Sequence, residues 1–188
     1  MSRREEKKQA KHLEIIKNAL RLFSEKGFDH VTTQEIADAS GIAKKTLFQY
    51  FPTKDAIVFY DEHELLERVL EFIETVNPQY LWKEFKTFII GIAGNDEAIG
   101  EYVALSQVIQ DSPALYNRLM VMWATYEREL AKGLLKNRLA GNKVQAQVWA
   151  VQMVLVLKLT FEGRVPLSDV FESMTSFINQ AFAPSKEI

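Results

Sequence analysis

The stretch TTQEIADASGIAKKTLFQYFP, residues 32–52, contains two short helical patterns separated by a glycine. Thr32 and Glu35 match the capping-box pattern, which predicts that a helix begins here. Gly41 permits a sharp turn after that helix, and a second helix follows until Pro52 stops it. Two short helices joined by a glycine-containing turn are typical of a helix-turn-helix.

The second helix of this pair carries different chemistry on its two sides. On a helical wheel, Leu47 and Phe51 face inward, whereas Lys45 and Gln49 point the opposite way. The flanks carry Thr46, Phe48 and Tyr50. Lysine can donate to guanine, glutamine can pair with adenine, and a phenyl ring can contact the thymine methyl group. This face has no carboxylate, so the sequence predicts a helix that suits the major groove of DNA.

Outside this stretch, apolar residues recur at helical spacing between glycine, proline and asparagine breaks. The sequence therefore predicts an all-α protein of about nine helices. The predicted helices cover about residues 13–26, 32–40, 44–51, 54–75, 79–92, 97–110, 112–140, 143–161 and 166–182.

Composition excludes several classes of protein. The chain has 188 residues, of which 47% are hydrophobic and 26% charged, so it can form a globular core. It has no cysteine and three histidines, which excludes disulfides and thiolate chemistry and leaves little for a metal site. No secretory signal opens the chain, and the densest apolar run, Val148–Leu157, is about half the length that spans a bilayer. We expect a soluble cytoplasmic protein with no cofactor, metal or membrane partner.

Charge is divided unevenly along the chain. Residues 1–52 have a net charge of +3, and residues 53–188 have a net charge of −5. A small basic front on a larger acidic body predicts two domains with different tasks. The predicted boundary separates a DNA-binding domain at 1–52 from a second domain at 53–188.

The stretch IIKNALRLFSEKGFDHVTTQEIADASGIAKKTLFQYFPTKDAIV, residues 15–58, resembles the N-terminal domain of the TetR family of transcriptional regulators. The resemblance covers roughly a quarter of the chain. It rests on Ala19, Leu20, Phe23, Gly27, Thr32, Thr33, Ile36, Ala37, Gly41, Ile42, Thr46, Leu47, Phe48, Tyr50, Phe51 and Lys54.

The resemblance implies a role in DNA binding for nine residues. Thr33 and Gln34, at the start of the first helix of the pair, would contact phosphate or a base. Tyr50 and Lys54 would hold backbone phosphates. The residues facing the groove would be Lys44, Lys45, Thr46, Phe48 and Gln49. Phe48 departs from the family's more common tyrosine, which removes a hydroxyl from this surface.

The resemblance also implies that residues 53–188 form an effector-binding and dimerisation domain. The candidate effector-binding residues, for a small apolar or aromatic molecule, are Trp82, Phe85, Tyr102, Trp123 and Tyr126. The helix at 143–161 is apolar nearly all round, so it needs cover on two sides. The resemblance predicts that the last two long helices pair with those of a second subunit, and that the dimer binds a palindromic operator as a repressor.

Two other classes of function stay open on sequence alone. The first is a helical protein–protein interaction module that uses the same fold without DNA. The second is a helical enzyme or metal protein. The sequence has none of the common nucleotide-binding or hydrolase motifs, and Glu-x-x-His is absent. These absences and the charge division favour the DNA-binding regulator.

Overall fold

The described part of the chain is helical and contains no strand. The structure is a computed structural model that describes residues 3–94, 96–163, 166 and 168–173, with the backbone alone described at residues 4, 96–99, 101 and 102. Its α-helices are α1 (Arg3–Lys26), α2 (Thr33–Ala39), α3 (Lys44–Tyr50), α4 (Asp55–Val58), α5 (Glu62–Thr75), α6 (Leu81–Ala93), α7 (Asp96–Gln110), α8 (Pro113–Lys136) and α9 (Lys143–Glu162). Single 3₁₀ turns, Phe28–His30 and Pro78–Tyr80, precede α2 and α6. The all-α prediction is confirmed.

The chain forms two compact units. The first consists of Met1–Glu67 and Ala104–Trp123, and the second of Arg68–Val103 and Ala124–Ile188. These units reflect packing rather than function. The division of tasks at residue 52 therefore stays a prediction.

The helix-turn-helix begins and ends at the residues that the sequence indicates. The backbone N–H of Glu35 donates to Thr32 Oγ1 over 3.2 Å, and the N–H of Thr32 donates to the Glu35 carboxylate over 2.9 Å. This is the predicted capping box of α2. Gly41 has a φ of 63°, which a glycine adopts at low cost at the turn. Ala43 precedes α3 without a side-chain cap, as its methyl group requires.

The predicted helix over residues 54–75 is wrong in one respect, because the structure breaks it in two. The short helix α4 ends at Val58, and α5 begins at Glu62. Phe59 leaves the helical conformation with a ψ of 35° and is buried. No glycine or proline marks this position, and the helical spacing of apolar residues continues across it. The sequence therefore gives no local sign of the break. The buried Phe59 ring at this break is contacted by Arg118 of a distant helix.

The two sides of α9 have different surroundings. One side is buried in the second unit, and its residues are Ala146, Ala150, Met153, Val154, Val156 and Leu157. The other side exposes an apolar stripe of four residues, Val144, Val148, Val151 and Leu155, which are 74%, 46%, 42% and 49% exposed. Among the described residues, α9 alone has the length and composition to cross a membrane. Of the predicted helix at 166–182, residues 168–173 are helical, and residues 174–182 lie outside the described part.

Candidate nucleic-acid interface

We define the reading surface as the first turn of α2 together with the outer side of α3. Its residues are Thr33, Gln34, Lys44, Lys45, Thr46, Phe48, Gln49 and Tyr50. Lys44, Lys45 and Gln49 are exposed, and Phe48 is 44% exposed. Thr33, Thr46 and Tyr50 are half-buried. The sequence of α3, KKTLFQY, has no carboxylate, so this helix can approach a phosphate backbone without like-charge repulsion.

Gln34 is exposed but already has a partner on its own helix. Its Nε2 donates to Oδ1 of Asp38 over 2.8 Å. This bond directs the Gln34 amide toward the next turn of α2. The carboxylate of Asp38 therefore lies beside the reading surface. A helical wheel of α3 does not reveal this carboxylate, because Asp38 belongs to α2.

The inward side of α3 is held by the core of the first unit. Leu47 and Phe51 are buried, as the wheel predicts. The imidazole of His12 stacks on the Phe51 ring with centroids 4.4 Å apart. Burial, reinforced by the positive charge of Lys8, lowers the pKa of His12. A neutral imidazole packs against a phenyl ring at little electrostatic cost, so His12 extends the apolar support of α3.

Polar side chains of α1 support the turn between α2 and α3. Nδ2 of Asn18 donates to the carbonyl of Ala39 over 3.1 Å and to Oγ of Ser40 over 3.3 Å. Nζ of Lys11 donates to the carbonyl of Ser40 over 3.4 Å. These bonds satisfy acceptors at the end of α2, which has no further turn to use them. Sequence reasoning missed Asn18 because its partners lie more than twenty residues away.

Lys54 occupies an unexpected position. Its Nζ donates to the carbonyls of Phe28 and Val31 over 2.7 and 2.9 Å, and it lies 4.2 Å from the centroid of the Phe28 ring. Burial lowers the pKa of this amine. An ammonium group has three N–H donors, so one is left after these two bonds. Contact between Lys54 and a DNA phosphate stays a prediction, and it depends on that remaining donor.

Arg118 explains the break between α4 and α5. This α8 residue pairs through Nη1 with Asp55 of α4 and through Nη2 with Glu62 of α5, the latter over 3.0 Å. Its guanidinium lies 4.5 Å from the centroid of the buried Phe59 ring, between the two helices. The Arg118 guanidinium thus pairs with the first residue of α4 and the first residue of α5, and it contacts Phe59 between the two helices. Ser112 adds a bond from its Oγ to the Asp29 carboxylate over 3.2 Å.

The predicted effector-binding residues are spread over both units. Phe85 and Tyr126 are buried in the second unit, where Trp82 is half-buried. Trp82 meets Phe85 edge to face with centroids 6.1 Å apart. Trp123 is buried and belongs to the first unit. The side chain of Tyr102 lies outside the described part.

A cavity of about 270 Å³ in the second unit has a different character from the predicted effector site. Its lining residues are Leu70, Glu74, Glu129, Lys132, Gly133, Lys136 and Asn137. The charged side chains pair with one another, Lys132 with Glu129 over 2.9 Å and Lys136 with Glu74 over 3.3 Å. None of the predicted effector-binding residues with described side chains lines this cavity. No cluster of three or more metal-ligating side chains occurs among the described residues.

Comparison with known proteins places the reading surface in a known domain. Residues 15–60 match the family model of the bacterial regulatory proteins of the tetR family. A Mycobacterium tuberculosis protein named as a transcriptional regulator of mycofactocin biosynthesis, MftR, is 28% identical over 169 residues, which are 87% of this chain and 83% of the relative.

Solved structures share the fold over nearly the whole chain. NalD, the secondary repressor of a multidrug efflux pump in Pseudomonas aeruginosa, matches with a TM-score of 0.62 and 13% identity over 93% of this chain and 96% of its own. The repressor FadR of Thermus thermophilus, solved in complex with lauroyl-CoA, matches with a TM-score of 0.54 and 17% identity over 94% of this chain and 97% of its own.

The helix-turn-helix, its carboxylate-free outer helix and the all-helical body define a DNA-binding transcriptional regulator. The matched domain and the relatives narrow this class further. Residues 15–60 match the DNA-binding domain of TetR-family regulators, and 87% of the chain is similar, at 28% identity, to a transcriptional regulator.

Proposed function

We propose that this protein is a homodimeric repressor that binds a palindromic operator and leaves it when a small molecule binds. The observation that carries this proposal is the reading surface, where a helix without carboxylates exposes Lys44, Lys45, Phe48 and Gln49 while its other side is buried. Exposed lysine and glutamine side chains on such a helix suit the edges of guanine and adenine in the major groove.

The proposed division of labour follows the charge of the chain. Residues 1–52, with a net charge of +3, would bind DNA, and residues 53–188 would bind the effector and the second subunit. Binding is the whole of the proposed activity, with no catalytic step. We place the protein in the cytoplasm, where its operator would be.

The proposed dimer uses the apolar stripe of α9. Its residues, Val144, Val148, Val151 and Leu155, are spaced by four, three and four, so they share one side of the helix. Four exposed aliphatic side chains in a row are costly in water and are typical of an interface. A two-fold axis would bring this stripe against its own copy. The two reading surfaces would then meet the two halves of a palindrome.

Repression and release draw support from the relatives. NalD is a repressor, and Thermus thermophilus FadR is a repressor that binds lauroyl-CoA. By analogy, an apolar or aromatic effector would bind in the C-terminal body, where we propose Trp82, Phe85, Tyr102, Trp123 and Tyr126 as candidates. The effector would release DNA only to the extent that it binds the DNA-free conformation more tightly.

Binding of the full chain to DNA from its own promoter tests the proposal. We expect specific binding that weakens steeply with salt and is at least about a thousandfold tighter than binding to a scrambled duplex. Replacing Gln49 with Ala removes a base contact and should cost about 1–3 kcal/mol at one base step. Equal affinity for promoter and scrambled DNA across several candidate promoters would contradict the proposal.

A further inference from the structure

Two polar atoms of the second unit are buried without a hydrogen-bond partner. They are Nε1 of Trp149 and Oε1 of Gln152. Both residues are on α9, three positions apart, so they are separated by about 60° around the helix and about 4.5 Å along its axis. Buried polar atoms in folded proteins are nearly always paired, because an unpaired one loses its bonds to water without compensation. This donor and this acceptor therefore require a partner.

A chain of aromatic contacts leads away from the Trp149 ring. The ring of Trp82 meets Trp149 edge to face with centroids 5.8 Å apart. Phe85 lies 6.1 Å from Trp82, and Phe88 lies 6.3 Å from Phe85. Phe72 stacks on Phe88 with centroids 4.9 Å apart. Trp149 thus belongs to a continuous aromatic cluster, and Gln152 lies less than one helical turn further along α9.

A second copy of the chain cannot supply the missing partner. Both atoms are already buried within one subunit, whereas the proposed dimer contact is the exposed stripe of α9. Val148 and Val151 of that stripe each lie about 100° around the helix from Trp149 and Gln152, the residues that follow them. We therefore expect the partner to come from solvent rather than from a second subunit.

We propose that Trp149 and Gln152 form the polar end of an effector site whose apolar wall is Trp82, Phe85 and Phe88. The indole N–H donates and the amide oxygen accepts, so the ligand group must both accept and donate a hydrogen bond. A primary amide or a hydroxyl on an aromatic body has this property. The ligand is neutral at this group, because neither protein atom carries a charge to compensate a buried ion. The inference rests on the proposed effector-controlled function.

Two probes that differ in one hydrogen-bond donor test the site. Benzamide carries an N–H₂ group where acetophenone carries a methyl group, and both accept a hydrogen bond. Each is titrated into the ¹⁵N-labelled full chain while the indole N–H resonances are followed, with the Trp149 signal assigned from Trp149→Phe. We expect benzamide to bind about tenfold more tightly than acetophenone and to move the Trp149 resonance.

Two variants of α9 test whether the preference for benzamide depends on Gln152. In Gln152→Leu, which removes the acceptor, the preference for benzamide should disappear while acetophenone still binds. The matched control Gln147→Leu changes an exposed glutamine of α9 and should keep the preference. Equal affinity for the two probes in the native chain overturns the proposal. So does a Trp149 resonance that neither probe moves at its solubility limit, which would assign the pair to a bound water.

Operator binding is measured on the same protein, so two failures can be told apart. If the promoter fragment binds but the probes do not discriminate, the effector site is wrong and the regulator stands. If the probes discriminate but no promoter binds, the proposed function is wrong and the ligand site stands.

Discussion

At the scale of single residues, Lys54 shows how a side chain that looks free in the sequence can be used inside the fold. Its ammonium group holds the carbonyls of Phe28 and Val31, which lie just before the capping box of α2. These bonds hold the segment 28–31, which lies just before α2 and thereby positions Thr33 and Gln34 on the reading surface. No local pattern reveals them, because the carbonyls belong to residues more than twenty positions away.

Replacing Lys54 with Met should lower stability because two buried carbonyls lose a charged donor. We expect a loss of about 1–3 kcal/mol in the free energy of unfolding, measured by urea denaturation. Lys45→Ala serves as a comparison, because Lys45 is exposed on α3. It should leave stability unchanged and reduce the salt dependence of DNA binding by about one unit, because a lysine that enters the groove displaces a counterion.

The salt dependence also separates the two roles of Lys54. We expect Lys54→Met to change the slope of log affinity against log salt by less than Lys45→Ala does, because Lys54 has one donor left. Native stability combined with a full unit of lost slope would show that its amine points at DNA and not at the carbonyls.

The pKa of Glu35 predicts that the stability of α2 depends on pH. The Lys26 ammonium, with further bonds from the backbone and hydroxyl of Thr32, lowers the pKa of Glu35 to about 2 from an ordinary value of 4.5. A carboxyl group whose pKa is lowered by folding stabilises the fold above its unfolded value, and this contribution is lost as the pH falls. The difference in melting temperature between native protein and Glu35→Gln should therefore be full above pH 4.5 and shrink toward pH 2.

The control for this prediction is Glu25→Gln, which removes a carboxylate that pairs with Arg21 on an exposed turn of α1. An exposed pair of this kind contributes little to stability at any pH. If the native protein and Glu35→Gln differ by the same amount at pH 2 and pH 6, the ionised capping box does not stabilise α2.

At the scale of helices, the beginnings and ends that depend on local chemistry could be predicted. The Thr32–Glu35 capping box, the Asn142 cap of α9 and the break at Gly41 are encoded within a few residues. The break between α4 and α5 could not, because nothing at Phe59 disfavours a helix. It depends on Arg118, which is more than fifty residues away in the sequence and packs against Phe59 only in the folded unit.

Replacing Arg118 with Met should destabilise the first unit while keeping most of the apolar contact with Phe59. Asp55 and Glu62 would lose their shared cation and remain partly buried. We expect a loss of about 1–3 kcal/mol, seen as a lower urea midpoint. The control Arg128→Met should cost less than about 1 kcal/mol, since Arg128 pairs with Glu129 at an exposed position.

A rescue separates the charge of Arg118 from its bulk. Adding Asp55→Asn and Glu62→Gln to Arg118→Met removes the two unpaired carboxylates and should restore part of the stability. The restored part measures the coupling between these groups. If the triple variant is no more stable than Arg118→Met, the ion pairs do not hold the α4–α5 junction.

At the scale of the whole molecule, a short, dense motif indicated the function, whereas the proposed effector site could not be derived in the same way. The predicted DNA-binding residues lie within about twenty positions of one another, so the helical period brings them to one surface. The aromatic cluster near Trp149 combines residues from Phe72 to Trp149, and only the fold shows that they meet. The sequence analysis named Trp82 and Phe85 as candidates but not Trp149 and Gln152, because only the fold shows that their polar atoms are buried without a partner.

The apolar stripe of α9 predicts how the molecule assembles. Val151 and Leu155 are exposed in one subunit, so a glutamate at either position would not disturb its core. At a two-fold interface each new carboxylate would face its own copy, and we expect Val151→Glu and Leu155→Glu to sediment as monomers at micromolar concentration. Their affinity for a palindromic operator should fall on the order of a hundredfold or more, because the second half-site loses its high effective concentration. Val121→Glu, at an exposed valine of α8, is the matched control and should stay dimeric. A native protein that sediments as a monomer, or stripe variants that stay dimeric, would place the interface elsewhere.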